Sequence, residues 1–395
     1  LEDGREVIDA ISSWWVNVLG HSRPEIADAI YEQAQTLEQV IFAGFTHDPA
    51  EKVAEKVTSL LPGKLNKVFF SDNGSTAVEV AQKMAYQYWV NKGEKRKSFI
   101  CFDGAYHGDT IGAMSAGKRS MFTDVFKDLM YDVTFVPYPT TYIGDEDIGA
   151  REDAIIANIE QLIDENPDAY AGIIVEPLVQ GAGGMRMCRA EFLQKLHWVN
   201  RQYGTLLIFD EVMTGFGRTG DWFASLRAQV EPDIICLAKG LTGGFLPLSL
   251  TVCCNEIYDA FYDEDPHKAL WHGHSYTANP LGCAAAVATI DLLKKHQHWF
   301  KEMDQWHYEL VEPLQNHPTL AKIRITGTIA AMDIVTGDQK GYLNNVAPFI
   351  KKRSVEKGVL LRPLGDVLYM MPPYCIERDE LAKIYKVIEE LLQEL

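Results

Sequence analysis

The chain has 395 residues, length for about two or three domains and a large core. With 47% hydrophobic and 23% charged residues it has the composition of a folded globular protein, which excludes a disordered, collagen-like or coiled-coil chain. Lys and Arg number 37 against 55 Asp and Glu, and the resulting formal charge of −18 repels phosphate backbones and anionic membrane surfaces, so neither is an expected partner.

In chain order, the first 45 or so residues are of mixed character, with an amphipathic helix expected near 24–37. Asp3, Arg5, Glu6 and Asp9 lie within residues 1–20, so no basic and then apolar targeting segment is visible there. Seven short apolar runs rich in β-branched residues follow, at 67–71, 98–102, 133–137, 171–176, 205–210, 234–238 and 248–254. They are continuously hydrophobic, and helical spacing lies between several of them, at 75–91, 152–165 and 190–203. That pattern predicts a buried, mostly parallel seven-stranded sheet covered by helices, an α/β architecture. After about residue 285 the rhythm changes to a long helical pattern through about 316, two strand-like runs at 321–335, a helix at 343–357 and a last helix at 377–395. The expected division is a large domain over 46–285 and a smaller α+β domain assembled from 1–45 and 286–395. The longest apolar stretch, 281–293, falls short of the roughly 18 residues that span a bilayer and contains Asp291. Seven cysteines, an odd number without a C-x-x-C pair, fit a reducing cytoplasm, and the absence of H-E-x-x-H gives no reason to expect a metal.

The chemistry sits at strand ends. Residues 70–77, Phe-Ser-Asp-Asn-Gly-Ser-Thr-Ala, leave a strand and open a helix with free N–H groups, hydroxyls and a glycine, which suits a single phosphate group. An ordinary helix cap at Ser75 explains the same letters. Asp210 closes a very apolar strand, and a buried carboxylate needs a partner. The next strand delivers Lys239, whose burial would favour the neutral, nucleophilic amine that a Schiff-base lysine requires. A phosphate cradle, a buried acid and a buried lysine at the ends of one sheet converge on pyridoxal 5'-phosphate (PLP). A plain Asp210–Lys239 salt bridge is the alternative. Tyr106, in Asp103-Gly104-Ala105-Tyr106-His107-Gly108, could stack on a cofactor ring, and residues 271–276 (Trp-His-Gly-His-Ser-Tyr) form a polar, aromatic turn after the lysine strand.

Four segments carry a resemblance: 68–75 (Val-Phe-Phe-Ser-Asp-Asn-Gly-Ser), Tyr106-His107-Gly108, 210–220 (Asp-Glu-Val-Met-Thr-Gly-Phe-Gly-Arg-Thr-Gly) and Leu237-Ala238-Lys239-Gly240. Together they resemble the class III aminotransferases, PLP-dependent transferases of fold type I, over nearly the whole chain. Within that family, Ile11-Ser12-Ser13-Trp14-Trp15, residues 176–187, and 361–374 ending in Met-Pro-Pro-Tyr are similar to the branch that acts in biotin biosynthesis. The resemblance implies that Lys239 binds PLP covalently and transfers protons, while Asp210 holds the ring nitrogen protonated. It implies that Gly74 and Ser75 bind the phosphate, that Tyr106 stacks on the ring and faces substrate, and that Val212 packs the other ring face. Trp14, Trp15 and Arg362 would wall the substrate pocket. Gly273, His274 and Ser275 would reach the cofactor phosphate of a neighbouring subunit, so a homodimer with shared active sites is implied. The implied substrates are S-adenosylmethionine as amino donor and 8-amino-7-oxononanoate as acceptor; lysine as donor, or another ω-amino acid or polyamine transaminase, is the alternative. The chain departs from the family where His274-Ser275 replaces a common Pro-Thr, and the family pattern has a further segment with a substrate-pocket tyrosine ahead of the match.

Overall fold

In the computed structural model, which describes residues 1–335 and 346–395, the seven apolar runs form one sheet. Its strands are β1 (Leu65–Ser71), β2 (Ser98–Phe102), β3 (Thr134–Val136), β4 (Tyr170–Val175), β5 (Leu206–Asp210), β6 (Ile234–Leu237) and β7 (Ser249–Cys254). The spatial order is β1-β7-β6-β5-β4-β2-β3. Only β7 runs antiparallel to its neighbours, so the sheet is mostly parallel as its pattern predicted.

The continuous apolarity has a direct cause. Phe209 and Leu207 on β5, with Leu237 and Ile235 on β6, belong to one hydrophobic core, while Ile208 and Leu206, with Cys236 and Ile234, belong to a second. Alternate side chains are therefore buried on both faces, and a strand with no wet face has no polar alternation. Helices α1 (Pro24–Thr36) and α2 (Asp48–Thr58) precede the sheet, and α3 (Gly74–Asn91) covers one face through Ala77, Val78, Ala81 and Met84. Helices Ile148–Glu165 and Ala190–Tyr203 place Ile159, Phe192 and Leu196 in the other core.

Beyond the sheet, the long helical pattern divides into Pro280–Lys295 and Trp299–Val311. The break falls at His296, whose φ and ψ of −122° and 20° leave the helix and whose ring stacks on Trp299 with centroids 4.2 Å apart. Strands β8 (Leu320–Thr326), β9 (Ile329–Ile334) and β10 (Val367–Met370) form an antiparallel sheet in that order. The third strand escapes the sequence pattern because it is four residues long and follows Pro363 and Gly365. Helix Val346–Glu356 occupies the described part of the expected 343–357 helix, whose first residues lie outside the described ones, and Arg378–Gln393 ends the chain. Residues Ile8–Asp9 pair parallel with Val359–Leu360, which ties the start of the chain to its last quarter. Among the described residues no helix is long and apolar enough to cross a membrane. All seven cysteines are free; six are buried small hydrophobes and Cys375 is exposed.

Candidate active site

Parallel strands point their carboxyl ends to one edge, and that edge carries a cavity of about 490 Å³. Asp210 ends β5, Lys239 follows β6, Glu176 follows β4 and Tyr106 lies just beyond β2; all four line the cavity. Gly74 and Ser75, at the start of α3, line it as well, with Val212 and Trp15.

The helix start answers the question of Ser75. The capping residue is Asn73, whose side chain accepts the Thr76 N–H at 3.1 Å while the Thr76 hydroxyl accepts the Asn73 N–H at 3.2 Å. Ser75 is thus released from capping, and its Oγ accepts only from the Asp109 backbone at 3.1 Å among the described contacts. Gly108, at φ 125°, lies so close that a Cβ there would stand 2.0 Å from Ser75 Oγ. A Cβ on Gly74 would likewise stand 2.7 Å from Cγ1 of Val212.

Asp210 is buried. Its Oδ2 lies 2.7 Å from Nδ1 of the equally buried His107, and its Oδ1 accepts the Val212 N–H at 3.1 Å. No direct Asp210–Lys239 salt bridge occurs among the described residues, so the plain ion pair is not what joins them. Lys239 is half-buried, with its Nζ 4.9 Å from the centre of the Trp15 ring. It is one of the few non-glycine residues at positive φ, 46°, a conformation that persists only where the surroundings hold it. Burial lowers the Lys239 pKa; the charges of Asp210 and Glu176 oppose that shift, and Arg218 adds to it. Burial also opposes charge on His107, but the hydrogen bond and charge of Asp210 outweigh it and raise its pKa. Glu176 is pushed up to about 7 by burial, with His107 opposing and Asp210 reinforcing. Its two oxygens accept the N–H groups of Tyr106 and Gly181, each at 3.0 Å. The Tyr106 hydroxyl donates to Asp109 at 2.9 Å.

Trp14 and Arg362 are brought together, though not into the cavity lining. Trp14 is 62% exposed and the guanidinium of Arg362 stands 4.1 Å over its ring. Arg362 is half-buried and makes no ion pair with the nearby Asp366 among the described residues. Gly273, His274 and Ser275 are exposed and absent from this cavity; the Ser275 carbonyl accepts from Gln39 at 2.7 Å. Glu176, His107 and Arg218 have no role that the sequence alone indicates. Glu176 carries the same signal as Asp210, an acid directly after an apolar strand. Arg218 is 1% exposed and donates to the carbonyls of Pro372 at 3.1 Å, Asn17 at 3.2 Å and Trp15 at 3.4 Å, contacts that a sequence does not display.

Comparison with known proteins agrees with this geometry. Residues 1–392 match the family described as aminotransferase class-III. A relative from Synechococcus elongatus named adenosylmethionine-8-amino-7-oxononanoate aminotransferase is 54% identical over 395 residues, all of this chain and 92% of the relative. One of the same name from Geobacter sulfurreducens is 38% identical, over 98% of this chain and 88% of its own. The crystal structure of the enzyme so named from Methanocaldococcus jannaschii superposes with a TM-score of 0.92 at 33% identity, covering 99% of this chain and 90% of that one. An amine transaminase from an uncultivated Pseudomonas species, solved with PLP bound, superposes at 0.93 with 31% identity, over 99% of this chain and 91% of that one. The fold expected from the motifs, a fold-type-I PLP-dependent transferase, is borne out. Motifs, fold and cavity agree: the chain belongs to the class III aminotransferases, enzymes that move amino groups with pyridoxal 5'-phosphate.

Proposed function

We propose that this aminotransferase moves an amino group from S-adenosylmethionine to 8-amino-7-oxononanoate, giving 7,8-diaminononanoate in biotin biosynthesis. The observation that carries the reading is the meeting of Lys239, the His107-bonded Asp210 and the Gly74–Ser75 helix start in one cavity, in a chain whose relatives bear that activity in their names.

The residues fit PLP. Ser75 offers a hydroxyl not used for capping, and the approach of Gly108 and Gly74 leaves no side chain between the helix start and the cavity. When bound, PLP supplies an electron sink for the carbon that carries the transferring nitrogen. Lys239 is the residue that would hold it covalently and would take and return the proton, and burial lowers its pKa in the direction that favours the neutral amine. Asp210 supplies a fixed negative charge for the ring nitrogen, and His107 fixes its orientation and compensates its burial. Tyr106 and Val212 would cover the two ring faces. Trp15 lies beside Lys239 Nζ and excludes water there. Arg362, stacked on Trp14, is the guanidinium for the acceptor's carboxylate.

The exposed turn around Gly273, His274 and Ser275 supports a homodimer in which it completes the partner's phosphate site, since it does not line the cavity of its own chain. In this reading residues 46–285 form the cofactor-binding domain, with 1–45 and 286–395 as the smaller domain. The free cysteines support a cytoplasmic setting.

The test is a single turnover. Loaded protein mixed with S-adenosylmethionine should convert its cofactor to the amine form, and later addition of 8-amino-7-oxononanoate should yield 7,8-diaminononanoate by mass spectrometry. Conversion by lysine and not by S-adenosylmethionine would overturn the donor; no conversion by either, or no diamine, would overturn the function.

A further inference from the structure

The turn that carries the two tryptophans is held in a rare conformation. Ser12, Ser13 and Trp15 have φ of 51°, 58° and 67°, and none is glycine. Ser13, with ψ of −102°, lies outside the left-handed helical region altogether. Such residues relax unless their surroundings over-determine them.

Asp9 provides much of that hold. Its Oδ1 accepts the Ile11 N–H at 3.1 Å and its Oδ2 accepts the Ser13 N–H at 2.6 Å, so one carboxylate spans the first half of the turn. His21 Nε2 stands 2.8 Å from the same Oδ2. Two further anchors come from the last quarter of the chain: the Ser12 hydroxyl donates to the Met371 carbonyl at 2.7 Å and Trp15 Nε1 to the Tyr369 hydroxyl at 2.9 Å. Among the described residues Trp14 has no such anchor, and it meets Arg362 by stacking. Asp9 is in turn fixed by strand pairing, directly opposite Leu360, and that partner strand leads into Arg362. The same short ladder therefore sets both members of the Trp14–Arg362 pair.

We propose that Asp9 is a positioning residue for acceptor recognition, its carboxylate holding the strained turn so that Trp14 stacks on Arg362. The inference rests on the reading of Trp14 and Arg362 as the acceptor's wall. Asp9→Asn keeps the shape but turns one acceptor into an NH₂ that faces a backbone N–H. The turn relaxes, Trp14 leaves the guanidinium, and Arg362 loses the orientation needed for a carboxylate. Trp15 keeps its own anchor on Tyr369 and stays beside Lys239, so the donor half-reaction is spared.

The experiment uses the full chain. In Asp9→Asn the KM for 8-amino-7-oxononanoate should rise about tenfold while the donor half-reaction rate stays within about twofold. Near-UV circular dichroism of the cofactor-free protein should lose the tryptophan signal that Trp14→Phe also loses. Asp9→Ser, which keeps one acceptor and cannot repel, shows the same split at about threefold and serves if the asparagine variant does not fold. Arg362→Ala should raise the same KM, and Asp9→Asn added to it should raise it no further. An additive double variant, equal loss in both half-reactions, or an unchanged near-UV spectrum overturns the role of Asp9. An unchanged KM in Arg362→Ala alone overturns the acceptor wall instead, and the spectrum still decides whether Asp9 holds the turn.

Discussion

His307 makes the protein's stability depend on pH in a calculable way. It lies on helix Trp299–Val311, fully buried, with Nδ1 2.9 Å from the Tyr385 hydroxyl on the last helix and Nε2 3.3 Å from the Thr328 carbonyl. Burial pushes its pKa from 6.5 down to about 4, against the pull of the Thr328 carbonyl. The unfolded chain therefore takes up a proton at His307 below about pH 6.5, whereas the folded chain does so only near pH 4. Wherever the unfolded state binds more protons, stability falls as pH falls, so this contribution is complete above the unfolded value and is lost on the acid side. Linkage between those two pKa values makes the loss from pH 8 to pH 5 about 2 kcal/mol. His307→Gln removes the titrating group and with it this slope, whatever fixed cost the substitution carries. Urea unfolding of both proteins at pH 8 and pH 5 gives two stability gaps, and the gap should be smaller at pH 5 by about 2 kcal/mol. Gaps that agree to within about 0.5 kcal/mol would mean that His307 titrates alike in both states and would refute the reasoning.

Asp210→Asn preserves the shape that meets Val212 while removing the charge beside His107, and should slow both half-reactions about 100-fold or more with cofactor still bound; stopped-flow rates near those of the parent would count against it. Borohydride reduction of the loaded protein followed by peptide mapping should mark Lys239, and a mark on another lysine would remove it from its role. Gly74→Ala brings a Cβ to 2.7 Å from Val212 and should weaken cofactor retention about tenfold on dialysis, an effect that unchanged retention would contradict.

The sheet was legible because strands buried on both faces advertise themselves as unbroken apolar runs. Their limits were less so: β4 starts at Tyr170 and β6 stops at Leu237, since apolarity does not mark where ladder hydrogen bonds end. Helix α2 went unread among its many charges. Asp210 and Lys239 stood out as polar residues immediately after apolar strands, and Glu176 carries that signal too. Ser75 was ambiguous because the residues around a helix start look alike; the distinction lies in which oxygen reaches the Thr76 N–H, and that is Asn73. Asp9 gave no sign, because its work is done on N–H groups within its own turn and against backbone strain that no residue pattern encodes.

The cavity carries groups of both signs in a chain that is acidic overall. At −18 the whole protein repels both a phosphate and a carboxylate, the two anionic groups the proposed chemistry brings to it. In and behind the site, His107 and Arg218 are buried and Lys239 half-buried beside Asp210 and Glu176, and burial pushes the Glu176 pKa up to about 7. Arg218 bonds to carbonyl oxygens and has no carboxylate partner among the described residues, so its charge is not locally cancelled. The helix start at Gly74 adds the positive end of a dipole. At long range the outer charge is screened within roughly 10 Å at ordinary ionic strength, whereas the buried charges are screened far less. Capture of an anionic ligand is therefore decided after it arrives, by groups at contact distance, and for the acceptor's carboxylate that places the discrimination on the orientation of one half-buried guanidinium, Arg362.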